Sequence, residues 1–232
     1  MKKIFKDWTA FEKILYFTSV TVTTVISIIT RSSYLALING FCNMTNAILS
    51  AKGRISNYYF SLIGNVIYAY ISFQSRYYSE VIMSVFLVIP ITVYGLISWL
   101  RNRKSDDEVR INKLSTRQIV IPILSQVIMS IPYYYLLKYF NSELLVISTF
   151  GMCVTILSFY FMAKADPIFN LFFIINGLTR VVMWLIPMLN GDFSNVPLFL
   201  SNVVYCINDA YGLINWTRMA KQQSREEMRK TV

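Results

Sequence analysis

The sequence predicts an all-α integral membrane protein with eight transmembrane helices, laid out 1+3+1+3 with two parallel three-helix repeats. Three observations predict it: a composition too apolar for water, eight apolar runs of bilayer length, and a strong sidedness of basic charge. Of 232 residues, 55% are hydrophobic and 15% charged, against about 25% charged in a soluble domain. A soluble fold of this size has too few charges here to clothe its exterior.

The apolar runs cover approximately 14–30, 33–51, 56–75, 80–100, 117–139, 143–163, 167–189 and 195–217, each near the about 17–25 residues that a spanning helix needs. The first run is rich in Thr and Ser, and the second carries Asn39, Asn43 and Asn46. Both still qualify, because a helix satisfies its own backbone and its polar side chains can face neighbouring helices. Pro90, Pro122, Pro132 and Pro187 mark bending points inside the runs.

With the N-terminus inside, eighteen of the 22 Lys and Arg fall in inside segments, among them Lys52, Arg54, Arg101, Arg103, Lys104, Lys164 and Arg218. Only Arg31, Arg76 and Lys138 fall outside, and Arg180 lies within a run. That asymmetry is the positive-inside signature of a multi-pass membrane protein with both termini cytoplasmic. The net charge of +10 is therefore read as facing anionic lipid. It accompanies no nucleic-acid motif, so no nucleic-acid partner is expected. No cleavable leader is expected either, since no small-residue cleavage site follows the first run.

The fourth run ends Tyr94-Gly95-Leu96-Ile97-Ser98-Trp99, and the eighth ends Tyr211-Gly212-Leu213-Ile214-Asn215-Trp216, 117 residues later. Ala51-Lys52 before the third run is echoed by Ala163-Lys164 before the seventh, at an offset of 112. Runs two to four thus correspond to runs six to eight, and the fifth run reverses direction between them. The resulting organisation is an N-terminal segment and extra helix (1–32), a first triplet (33–100), a basic cytoplasmic loop and linking helix (101–140), a second triplet (141–218) and a cytoplasmic tail (219–232). Two same-facing triplets enclose a central path, for which transport is the natural use. Trp99 and Trp216, beside Arg101 and Arg218, read as interfacial anchors.

Polar groups at membrane depth are costly and invite a functional reading. Asn39, Asn43 and Asn46 share one helical face by their spacing of four and three. Asn65 and Tyr68, Gln126, Asn170 and Asn176, and Asn202, Tyr205 and Asn208 add further amides and phenols. Such groups bind hydroxyls and carboxamides, or simply hold helices together. Arg180 and Asp209 each cost roughly 2.5–3.5 kcal/mol near a helix centre; mutual pairing is the cheapest expectation, with direct contact to substrate or Asp209 as a proton carrier as the alternatives. Cys42, Cys153 and Cys206 lack paired spacing and histidine is absent, so neither a metal site nor a cofactor is expected. A membrane-embedded enzyme is the alternative of another class. It would need a convergent acid–base cluster that the sequence does not supply, so the chain is read as a non-enzyme.

The stretch Ala51-Lys52-Gly53-Arg54-Ile55-Ser56-Asn57-Tyr58, followed by Asn65, Tyr68, Ala69 and Tyr70, with the two Tyr-Gly…Trp ends, resembles the bacterial nicotinamide riboside transporter family of PnuC-like vitamin and nucleoside transporters. The resemblance spans roughly 14–218. It implies a SWEET-like three-plus-one-plus-three architecture with an extra N-terminal helix, assembly as a homotrimer, and facilitated diffusion (uniport) of a nucleoside-like vitamin trapped inside by a cytoplasmic kinase. The family's substrate motif Trp-x-x-Trp-x-x-x-Asn falls here on Phe169, Phe172 and Asn176, with both tryptophans replaced. The resemblance thus implies Phe169, Phe172 and Asn176 at the base, and the side chains at membrane depth on Gln126, Asn43, Asn46, Tyr68, Asn208 and Trp184 are the further substrate-binding candidates. Related (deoxy)nucleosides and thiamine are alternative cargoes.

Overall fold

The computed structural model describes residues 8–29, 33–74, 81, 83–140, 144–191 and 196–230. Among these the chain is helical, with one isolated antiparallel bridge from Arg54 to Glu108. The helices are α1 (Ala10–Ile29), α2 (Tyr34–Ala51), α3 (Asn57–Gln74), α4 (Ser84–Arg101), α5 (Thr116–Tyr139), α6 (Leu145–Ala163), α7 (Ile168–Leu189) and α8 (Val196–Lys230). Five of them, α1, α4, α5, α6 and α7, are long and apolar enough to cross a membrane. Amides lower the hydropathy of the others: Asn39, Asn43 and Asn46 in α2, Asn57 and Asn65 in α3, Asn202 and Asn208 in α8. α4 opens with a π-helical turn, Ser84–Val88. Pro90 follows at once, and its missing N–H leaves a carbonyl that a widened turn accommodates.

Two compact units divide the chain, Met1–Glu108 and Val109–Val232. In the first, α1, α2, α3 and α4 pack in series, and in the second α5, α6, α7 and α8 do the same. The segment expected as one linker is shared: residues up to Glu108 go with the first unit and α5 goes with the second.

The echo at an offset of 112 has a counterpart in two backbone turns. After α2, Lys52 N–H bonds the Ile48 and Leu49 carbonyls, Gly53 N–H the Ser50 carbonyl and Arg54 N–H the Leu49 carbonyl. After α6, Lys164 bonds Tyr160 and Phe161, Ala165 bonds Met162 and Asp166 bonds Phe161, each 112 residues later. The turn requires a left-handed residue: Gly53 supplies it at φ +65° without cost, and Ala165 adopts φ +54°. Each following helix starts on a carboxylate. Asp107 accepts from Ser56 N–H (2.7 Å) and Oγ (3.0 Å) at α3, and Asp166 accepts from Ile168 N–H (2.9 Å) and Leu114 N–H (2.7 Å) at α7. Acceptors at these positions satisfy donors that a helix start leaves open.

Trp99 and Trp216 differ from the sequence reading. Both are 0% exposed. Trp99 meets Tyr58 edge-on at 4.9 Å, and Trp216 meets Phe169 edge-on at 4.8 Å. They lock the last helix of each unit to the helix before it, because an indole gains more by packing on a ring than by floating at an interface. Gly95 exists for this contact, since a Cβ there would sit 2.6 Å from the Tyr58 ring.

The tail expected at 219–232 is instead mostly a continuation of α8, whose 35 residues extend about 52 Å at 1.5 Å per residue. It is held by the segment before α5. Ile111 N–H donates to Gln223 Oε1 at 3.0 Å, Gln223 Nε2 donates to the Ile111 carbonyl at 3.1 Å, and Arg110 pairs with Glu227. In the same unit Asn112 bonds the α6–α7 turn through the Lys164 and Ala165 carbonyls. The basic segments predicted inside thus gather at one end of the second unit. Arg54 with Glu108 does the same for the first.

Helix α1 begins with a reciprocal cap, in which Thr9 N–H donates to Glu12 Oε2 (2.6 Å) and Glu12 N–H to Thr9 Oγ1 (3.2 Å). The other Glu12 oxygen takes Lys52 Nζ at 2.7 Å with the carboxylate side chain 2% exposed, and Lys52 also lies over the Trp8 ring at 5.7 Å. Removing one partner strands the other charge, at a cost of about 3–5 kcal/mol, whereas apolar replacement of both is close to neutral. Glu12→Gln is therefore expected to lower the melting temperature in detergent far more than the double variant Glu12→Leu/Lys52→Met, as thermal unfolding will show.

Candidate functional site

Within the second unit, α5, α6 and α7 surround a cavity of about 690 Å³, inside the about 300–1,000 Å³ range of small-molecule sites. Gln126, Ser130, Tyr134 and Tyr135 face it from α5, Thr149, Phe150 and Cys153 from α6, and Phe172 and Ile175 from α7. No Lys, Arg, Asp or Glu is in the lining. Gln126 Oε1 is buried with no hydrogen-bond partner, while the Gln126 backbone carbonyl accepts from Cys153 Sγ at 3.5 Å. An acceptor sealed from water without a donor is costly to the fold, and that cost is recovered only by a group that donates to it.

Of the residues singled out in sequence, Gln126 and Phe172 meet at this cavity. Phe172 is half-buried and lies against Phe161, ring centres 5.0 Å apart. One turn on, Asn176 is 7% exposed, and its Oδ1 lies 3.1 Å from Thr155 Oγ1 on α6. Phe169 is 1% exposed, with its ring taken up by Trp216 and Phe173. Trp184 is half-buried further along α7, and Asn208 is buried on α8. The first unit holds the others. Asn43 Nδ2 reaches Asn39 Oδ1 at 3.4 Å, and Gly64 lets α3 close on both amides, a Cβ there lying 3.0 Å from Asn43 Oδ1. Asn46 Oδ1 is a second buried acceptor without a partner, and Tyr68 is exposed on α3.

The expected Arg180–Asp209 pair does not form among the described residues. Arg180 is exposed on α7, so its long side chain keeps the guanidinium out of the protein interior. Asp209 on α8 shares a side-chain hydrogen bond with Asn208 instead, and Tyr205 lies within electrostatic range of both charges.

Sequence reasoning missed Thr155, Tyr134, Tyr135 and Phe150. Thr155 was within reach, since it stands 112 residues after Asn43 and Asn176 stands 112 after Gly64. The same inter-helix contact thus recurs with the amide moved to the partner helix. The aromatic residues carry no comparable signal, because an aromatic in an apolar run reads as lipid-facing or core alike.

Comparison with known proteins now decides the family. The model of the family described as nicotinamide mononucleotide transporter matches residues 33–218. The chain belongs to that family. A nicotinamide riboside transporter PnuC from Neisseria mucosa is 26% identical over 229 residues, covering 96% of this chain and 87% of that protein. The Haemophilus influenzae nicotinamide riboside transporter PnuC is 22% identical over 197 residues, 83% of each chain. A crystal structure of the vitamin B3 transporter PnuC superposes with a TM-score of 0.78 at 25% identity, covering 94% of this chain and 95% of that one. The family assignment fits a multi-pass, all-helical membrane transporter.

Gln126→Leu removes the orphaned acceptor and breaks no side-chain hydrogen bond of Oε1. Its melting temperature in detergent is expected to equal or exceed that of the unmodified protein, since deleting an unsatisfied buried acceptor relieves roughly 1–3 kcal/mol. A fall of several degrees would show that Gln126 is structural.

Proposed function

We propose that this family member imports nicotinamide riboside by facilitated diffusion across a bacterial inner membrane, as a uniporter whose cargo is trapped by cytoplasmic phosphorylation. The observation that carries the reading is the near-full-length match to two proteins named nicotinamide riboside transporters. The family description names the mononucleotide, and the chemistry of the cavity favours the riboside. A phosphate dianion needs Arg, Lys or a helix N-terminus, and the lining offers amides, hydroxyls and rings instead. Phe172 supplies a stacking ring, Asn176 and Gln126 supply groups for a carboxamide or ribose, and Phe169 supports them through Trp216. Asn43, Asn46, Tyr68, Asn208 and Trp184 remain the next candidates.

A second cargo, a neutral nucleoside or deoxynucleoside, is favoured by one observation. Phe occupies both tryptophan positions of the family motif, at Phe169 and Phe172, and Phe is the weaker platform for a cationic pyridinium. All eight helices cross the membrane in this reading, in the 1+3+1+3 layout with both termini cytoplasmic, and the protein assembles as a homotrimer.

Uptake into proteoliposomes tests the cargo. Labelled nicotinamide riboside is expected to equilibrate without ATP or an ion gradient. Thymidine and thiamine are expected to compete weakly, and the mononucleotide least. Asn176→Ala and Phe172→Ala should each raise KM about five- to tenfold, the worth of one hydrogen bond or one ring contact. If neither variant alters uptake, these residues are not at the substrate, and if thymidine outcompetes the riboside, the second cargo is the true one.

Labelling tests the topology. In a background with Cys42, Cys153 and Cys206 replaced by Ala, Arg103→Cys and Lys221→Cys are both expected to react with a membrane-impermeant maleimide only in inside-out vesicles. Reaction of one from each side would overturn the layout.

A further inference from the structure

Thr155 Oγ1 lies between two oxygens, the Gly151 carbonyl at 2.8 Å and Asn176 Oδ1 at 3.1 Å. A hydroxyl owns one proton and a carbonyl oxygen owns none, so Thr155 cannot donate fully to both. The other helical threonines show where the proton goes. Thr45, Thr149 and Thr179 donate to the carbonyls of Phe41, Leu145 and Ile175, four residues earlier, at 2.8 Å each. In a helix this bond lies within reach of a threonine rotamer and serves the hydroxyl where no water is present. The Thr155–Gly151 contact has the same length and the same spacing.

With that proton committed to Gly151, Thr155 presents only lone pairs to Asn176. Lone pairs bind an N–H and repel a second oxygen. A half-turn of the amide about its last torsion exchanges its two ends within the same volume. The stable arrangement puts Nδ2 of Asn176 on Thr155 and turns the carbonyl oxygen away. We propose that Thr155 is a positioning residue that fixes Asn176 as a hydrogen-bond acceptor toward the cargo, and so selects a carboxamide over a carboxylate. This rests on the placing of Asn176 at the substrate. An oriented acceptor binds the carboxamide N–H₂ of nicotinamide riboside and repels the carboxylate of nicotinic acid riboside.

The arrangement belongs to the second unit alone. At the corresponding place in the first, Asn43 faces Gly64 and bonds Asn39, with no hydroxyl between them to orient it.

The test compares KM and maximal rate of uptake for nicotinamide riboside, and its inhibition by nicotinic acid riboside, in proteoliposomes. Thr155→Val keeps the shape and removes the hydroxyl. It is expected to raise KM about five- to tenfold, the worth of a lost hydrogen bond, with the maximal rate per inserted protein little changed and the amide-over-acid preference reduced at least threefold. Thr155→Ser restores both values. In an Asn176→Ala background Thr155→Val has no further effect on the preference, because coupled residues are not additive. The preference is a ratio that does not depend on how much protein inserts, so a poorly folding Thr155→Val still reports. Thr155→Cys, of similar volume with a weaker acceptor, should fall between valine and serine.

If Asn176→Ala alone leaves uptake and preference unchanged, the placing of Asn176 is wrong. If Asn176→Ala impairs uptake while Thr155→Val matches the unmodified protein in KM and preference, the positioning role of Thr155 is overturned and the site stands.

Discussion

A carboxamide inside a helical bundle within hydrocarbon has no water to fall back on, and that constraint shapes this molecule more than any other. Each amide must find a donor or acceptor on a neighbouring helix, accept an unsatisfied atom, or hold a place that a ligand fills. The chain uses all three. Asn43 leans on Asn39 where Gly64 lets the helices close. Asn176 meets Thr155 across α6 and α7. Gln126 and Asn46 keep buried oxygens without partners. A fold selected only for stability would have replaced the last two with Leu. Of the two, Gln126 lines the cavity between α5, α6 and α7.

The two units share backbone features and differ in their polar contacts. The backbone turn after α2 and after α6 is the same to the hydrogen bond, and each unit buries one tryptophan against an aromatic at the start of its preceding helix. Those shared features are the scaffold. The side chains at the matched contact differ: an amide on α2 faces glycine in the first unit, while a hydroxyl on α6 faces an amide in the second. Matching turns with exchanged polar groups thus give the two units different polar contacts between the same pair of helices.

The ends of the molecule obey a different rule, because they meet water and charge is cheap there. The Glu12–Lys52 pair is buried, yet it sits at a helix start, where a capping carboxylate satisfies backbone donors as well as the ammonium. The α8 extension survives as helix through its amide clasp on Ile111 and its ion pair with Arg110. Both clasps use side chains remote in sequence from their partners.

How much of this the sequence determined follows from range. Apolar periodicity and run length are local, so seven of the eight helices were legible to within a few residues, while α8 runs on to Lys230 past the end of its apolar run; the echo at 112, which the turns reproduce, was legible too. The family motif singled out Phe172, which lines the cavity, and Asn176 one turn on, because a motif is a local string. Tertiary structure alone decided three matters. Trp99 and Trp216 are buried within the protein because Tyr58 and Phe169 stand opposite them. Arg180 and Asp209 do not pair among the described residues, since Arg180 is exposed on α7 and Asp209 bonds Asn208 on its own helix. Thr155 became the partner of Asn176 because two helices bring residues 21 apart into one hydrogen bond. Sequence fixes which residues can span a bilayer, and packing fixes which of their polar groups meet, since a hydrogen bond depends on distances that no one-dimensional pattern contains.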